Sequence, residues 1–170
     1  MILSWKRLLA FALLCGALYE ALAQAWSRGL SHWVIDVGTV APAAWLARWL
    51  FRDPSIFADG SHLRSAPASL NVLFGCEGSD VLLVLAAALL VAPVRWRDRL
   101  FGLVAGVAVV FAVNQLRLLA LFFALREHTG WFGPLHGLVA PLGVVALVSA
   151  FFLVWLRWSQ RPGSNLAAAR

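Results

Sequence analysis

The sequence predicts an all-α integral membrane protein: a bundle of about four transmembrane helices, with an interfacial helix and a small β element on its outer side. Three observations carry this reading. Of 170 residues, 62% are hydrophobic and 13% charged, with a mean hydropathy of +0.82, far from the composition of a soluble domain. Four apolar runs, residues 8–25, 77–94, 100–125 and 135–156, have or approach the length that ~30 Å of hydrocarbon demands. The basic residues gather in short flanks beside those runs, as topology signals do. The whole chain reads as one membrane domain.

Taken in order, Lys6 and Arg7 precede the first run. Its basic start, the stretch LLAFALLCGAL and the ALA before Gln24 also fit a cleavable secretory signal, whose removal leaves the orientation of the other spans unchanged. Residues 26–75 form the outer segment. Within it, GTVAPAAWLARWLF sets Val40, Ala44, Ala47 and Leu50 along one helical face with Arg48 and Arg52 elsewhere, as a short helix lying at the interface requires. After Pro54, SIFADGSHLRS places the turn signal Asp59 and Gly60 between strand-compatible pieces, and SLNVLF adds a strand leading back to the membrane. Arg95, Arg97 and Arg99 separate the second and third spans, and Arg157, Arg161 and Arg170 follow the fourth. The positive-inside rule then puts both termini in the cytoplasm and turns residues 26–75 and 126–134 outward. The tryptophans concentrate near span ends and in the outer segment, where an amphipathic ring belongs.

Composition also excludes several classes. The net charge of +6 sits in helix flanks, so it signals topology and implies no nucleic-acid partner. Two cysteines, Cys15 within the first span and Cys76 at the start of the second, suit neither a disulfide scaffold nor a zinc site. His32, His62 and His128 lie in outer loops with no metal-ligand spacing and read as polar surface; no metal or cofactor is implied.

The residues that carry chemistry converge on one side of the bilayer. Cys76 sits at the outer mouth of the second span, and His136 at that of the fourth. Arg117 begins below the outer end of the third span and snorkels upward. Asn114 and Arg117 share a helical face with Gly102, Gly106 and Val113, and the glycines let neighbouring helices come close to it. An arginine inside a span costs ~2.5–3.5 kcal/mol on insertion scales, so it needs a partner or a purpose. Two remain open for Arg117: a structural pair with Asp80, or service to a reactive thiol. Cys15 is an apolar filler, whereas Cys76 has a cation and a histidine to hold it as a thiolate. Gly75 and Gly78 fit either an unusual backbone around Cys76 or a plain helix start. Asn114, Asp80 and Glu77 are accessory candidates, and Glu20, in the outer half of the first span, is a weaker one.

Together GCEG at the start of one span, NQLRL in the next and LHG at the start of the last resemble the exosortase/archaeosortase family, most strongly over residues 71–156. The resemblance implies a Cys-Arg-His triad at the outer membrane face, mapping onto Cys76, Arg117 and His136. It further implies, as partner and substrate, an exported protein whose C-terminal sorting tag comprises a short motif, a spanning helix and a basic tail. Many members have serine where Glu77 stands, and long members carry further spans, so this chain resembles a short form. The expected chemistry is thiolate attack on the scissile carbonyl, with hydrolysis or transfer of the acyl group to follow. The rival class is a small transport or assembly protein in which Arg117 and Asp80 form a structural pair and Cys76 is incidental.

Overall fold

The structure, a computed structural model, describes residues 5–161. It is mostly helical with a small three-stranded sheet. Helix α1 (Trp5–Ala25) runs on through a π-helical turn, Trp26–Leu30, and breaks at Gly29, whose φ of 95° glycine adopts without strain. A π-helical stretch, His32–Val40, leads into α2 (Ala41–Phe51), whose proline lies in the first turn, where its missing N–H is not needed. α2 stops at Arg52 in the left-handed conformation, φ 51°, with Pro54 just beyond.

Strands β1 (Phe57–Asp59), β2 (His62–Ser65) and β3 (Ala68–Asn71) form an antiparallel meander in that order. Asp59 pairs with His62, so Gly60 and Ser61 make the tight turn the sequence predicts. Then come α3 (Ser79–Val91), α4 (Trp96–Glu127) and α5 (Thr129–Pro134), the last joined through a π-helical turn, Leu135–Val139, to α6 (Ala140–Ser159).

Among the described residues, four helices are long and apolar enough to cross a bilayer: Trp5–Leu30, His32–Phe51, Trp96–Glu127 and Thr129–Ser159. Two sequence-based expectations change here. The second span, expected over residues 77–94, is only the 13-residue α3, about 20 Å long: Glu77 and Gly78 belong to the turn around Cys76, and the helix stops at Val91, where Ala92 turns extended before Pro93. The helix expected to lie flat at the interface instead continues back to His32 and runs beside the C-terminal half of α4. Gln115 Nε2 of α4 donates to the Thr39 carbonyl (3.2 Å), Phe51 stacks on Phe123 (centroids 5.8 Å), and Arg126 pairs with Asp53 (2.7 Å). Val40, Ala44 and Ala47 are buried as their shared face requires, while Leu50 is exposed.

Two apolar cores result. One joins α2, the sheet and residues 118–122 of α4; the other joins α3, α6 and the N-terminal half of α4. In the second, the small face of α4 admits its neighbours. A Cβ on Gly102 would lie 2.5 Å from Trp155 Nε1, which donates to the Asp98 carbonyl at 3.0 Å, and one on Gly106 would lie 3.0 Å from Leu85. Gly102→Leu is therefore expected to destabilise the protein by about 1–3 kcal/mol, since the buried Trp155 ring is rigid. A lowered unfolding midpoint in detergent checks this; an unchanged midpoint means Trp155 has room to turn.

The two ends of the bundle differ chemically. Arg7, Pro93 and Leu156 line one small cavity, and Phe101 meets Trp158 at 5.3 Å, so the start of α1, the end of α3, the start of α4 and the end of α6 share a level. Lys6, Arg7, Arg95, Arg97, Arg99 and Arg157 belong to the segments at this end, with the single carboxylate Asp98 among them in sequence. Trp5, Trp96 and Trp158 are exposed at this end; Trp33, Trp45, Trp49 and Trp131 are exposed on the elements of the other half.

Candidate active site

The sheet delivers the chain to Cys76. Val72 N–H donates to the Ser61 carbonyl (2.9 Å), and Cys76 N–H closes a turn on the Leu73 carbonyl (2.9 Å). The glycines flanking the thiol have φ of 84° at Gly75 and 89° at Gly78, so GCEG is a turn with a left-handed glycine at each end; of the two backbones its glycines fit, the plain helix start is not the one adopted. Glycine is also needed there for space. A Cβ on Gly78 would lie 3.3 Å from Asn114 Cγ, and one on Gly75 would lie 3.4 Å from Asp80 Oδ2. Phe74 holds the turn from the side, its ring edge-on to Trp26 (5.1 Å) and Tyr19 (6.5 Å).

Arg117 reaches this turn from α4. Its Nη2 donates to Cys76 Sγ at 3.9 Å, joining residues 41 apart in sequence, and its Nε is buried without a partner. The Asp80–Arg117 ion pair, one of the two roles left open for Arg117, does not form: among the described residues, no carboxylate pairs with Arg117. Asp80 is placed beside Gly75 with Oδ1 buried and unpartnered. Position along a helix brought the two charges to one level, but the guanidinium is directed at sulfur.

The accessory residues cluster under the turn. Asn114 is 3% and Glu77 7% exposed. Ser79 Oγ donates to Glu77 Oε1, while Glu77 Oε2 and Asn114 Oδ1 have no partner. Buried polar atoms of this kind are uncommon and mark sites that a ligand or water completes. Gln115, beside Asn114 in NQLRL, is equally buried and ties α4 to the stretch before α2; its neighbour's motif was the sequence signal for it.

His136 lies at the same end but outside this network. Its ring is exposed and stacked on Phe132 (5.5 Å, 17°), and it makes no hydrogen bond to Cys76 or Arg117. Phe132 and Leu135 pack against the same apolar cluster as Cys76. Glu20 is exposed and accepts from Gln24 Nε2 (3.1 Å). Cys15 and Cys76 are both free thiols. His32, expected as plain surface, is exposed and contacts Asp36 through Nδ1 at 2.7 Å.

Above the turn, Asp53 fastens the end of α2 to that of α4. Ser55 donates to its Oδ1 through Oγ (2.7 Å) and N–H (2.9 Å), and Arg126 pairs with Oδ2. The Ser55 hydrogen bonds first, then Arg126, hold this carboxyl below its usual range. A depressed carboxylate contributes stability that is present above its unfolded value near ~4 and is lost as pH falls through the folded one. Thermal midpoints followed from neutral pH down past ~4 should therefore fall, and Asp53→Asn should flatten that acid limb. An identical limb in the variant would assign the decline to other groups.

No protein-family model matches the chain, and no curated protein or solved structure matches it either.

Proposed function

We propose that the chain is a membrane-embedded cysteine peptidase or transpeptidase that cuts exported proteins at a C-terminal sorting tag, the activity implied by the resemblance of GCEG, NQLRL and LHG to the exosortase/archaeosortase family. One observation carries it: the guanidinium of Arg117, which no carboxylate among the described residues neutralises, lies against a thiol set between two left-handed glycines. A fixed cation beside sulfur favours the thiolate, the form that acts as nucleophile. The rival transport or assembly reading drew on an Asp80–Arg117 pair and loses that support.

The placement in a bilayer follows from charge and length. The arginine-rich end of the bundle faces the cytoplasm by the positive-inside rule. Arg117 stands about 32 Å along α4 from Trp96, one hydrocarbon thickness away, so the Cys76–Arg117 contact sits at the outer boundary. The sheet, α2 and the last turns of α4 then form a cap above it.

In this setting Cys76 gives up its proton to His136, and its sulfur attacks the scissile carbonyl carbon. Arg117 steadies the thiolate and the oxyanion that develops. The C–N bond breaks, His136 returns the proton to the leaving amine, and a thioester to Cys76 remains. Water, or an amine or hydroxyl acceptor, then attacks the thioester and releases the sulfur. His136 takes part by leaving its stack on Phe132, since catalytic contacts tighten when substrate binds.

The test uses the full chain in sealed vesicles with a tagged protein encoded in the same genome. A membrane-impermeant maleimide should label Cys76 from the outer side, and rapid quenching should trap a hydroxylamine-sensitive adduct on it. Labelling only after permeabilisation defeats the orientation; cleavage without an adduct on Cys76 defeats the chemistry.

A further inference from the structure

A cleft of about 490 Å³ opens between α3 and α6, walled by Val81, Val84, Ala88, Val148 and Phe152. A second cavity, about 180 Å³, shares Ala88 and Phe152 with it and continues to Pro93, Leu156 and Arg7. Both lie along α3, the first toward the Cys76 end of the bundle and the second, closed on one side by Leu8 and Phe11 of α1, toward the arginine-rich end about 20 Å away; together they mark an apolar track. Its walls hold one carboxylate, Asp80, at the first end, and one guanidinium, Arg7, at the other. Asp80 follows Cys76 by four residues, Oδ1 has no hydrogen-bond partner, and Arg117 does not neutralise it.

These charges describe the occupant. An α-helix carries unpaired N–H groups and partial positive charge at its N-terminus, and unpaired carbonyls and partial negative charge at its C-terminus. A carboxylate at one end of an apolar track and a guanidinium at the other complement a helix lying in it with its N-terminus toward Cys76. We infer that this track seats the spanning helix of the substrate in that direction, with Asp80 accepting from the free N–H groups of its first turn. The inference rests on the proposed function and adds the binding site and its polarity. It also places the scissile bond: the residues just before a helix capped by Asp80 arrive beside Cys76. A lipid acyl chain would suit the apolar walls but brings no donor for Asp80.

The experiment places a photocrosslinking residue at Val84, or at Leu156 further down the track, in the Cys76→Ser protein, with Val107 on the exposed face of α4 as control. Each is reconstituted in phospholipid vesicles with the tagged substrate. The expected result is attachment from Val84 to the first turns of the substrate helix and from Leu156 to its last turns, with little from Val107. Asp80→Ala should weaken substrate retention about tenfold, and Asp80→Asn, which still offers an acceptor, should weaken it less. Unchanged melting midpoints show that these variants fold. Attachment to lipid alone, equal attachment from Val107, or the reverse polarity overturns the inference. If the parent protein cleaves the tag while Val84 never reaches the substrate, the track is wrong and the enzyme stands; if the parent neither cleaves nor forms a thioester, both fall.

Discussion

Cys76→Ser should abolish processing of a tagged substrate, lowering turnover by at least about 10⁴-fold, while expression and membrane insertion stay intact. Serine is nearly isosteric with cysteine, so the turn held by Gly75, Gly78 and Phe74 survives the change. What is lost is the nucleophile, because a hydroxyl is far less acidic than a thiol and a far weaker nucleophile once the proton must be removed. Cys15→Ser is the control: that free thiol lies within α1, in a regular helical turn, and its replacement should leave turnover unaltered. In the Cys76 variant, uncut substrate accumulates in the membrane with its C-terminal helix attached. His136→Ala should accumulate the same species with slow residual turnover, since the Arg117 contact does not depend on the imidazole. Normal cleavage by Cys76→Ser, in a strain with no second enzyme of this kind, sinks the proposed function.

Arg117→Lys and Arg117→Gln should each reduce turnover by about 10²- to 10³-fold, the range for removing one preorganised stabiliser of developing negative charge. Lysine fails because it lacks the planar fork that lets one guanidinium serve sulfur and oxyanion together. The readout that separates this from a folding effect is alkylation of Cys76 by an impermeant maleimide at neutral pH, which should slow in both variants at an unchanged melting midpoint. A structural role would leave the alkylation rate alone. A well-expressed Arg117→Met, Asp80→Leu double variant with full activity removes Arg117 from the mechanism, because two apolar residues preserve packing but supply no charge.

Much of the fold was legible because it rests on composition and spacing. The apolar runs that became α1, α4 and α6 needed only hydropathy, the hairpin needed Asp59 and Gly60, and the close approach of α6 to α4 was written in Gly102 and Gly106. The short α3 was half legible: Pro93 is a stop signal for its C-terminal end, whereas its start looks helical through Glu77 until the positive φ of Gly78 is seen. The course of His32–Phe51 was not legible: Trp33, Trp45, Trp49 and Arg48 read as interfacial, while the small residues Ala43, Ala44 and Ala47 decide the packing against α4 and the sheet. In the site, the sequence brought Cys76, Arg117 and His136 to one end, but which side chains engage is a matter of rotamers. Arg117 chose sulfur over Asp80, and His136 chose the face of Phe132, neither of which spacing reports.

The length of α4 has one more consequence. Its 32 residues span about 48 Å, half as long again as a hydrocarbon core, and the helix is unbroken from Trp96 to Glu127. On the proposed placement it acts as a dipstick: with Trp96 anchored at the inner headgroups, the depth of Arg117 is set by how thick the surrounding lipid is. Short-chain lipid lifts the thiol and its guanidinium into water, which competes for the acyl group, and long-chain lipid sinks them into oil, where a charge is costly. On the proposed function, the balance between hydrolysis and transfer should therefore shift with the acyl-chain length of the host membrane, a property of the solvent rather than of the protein.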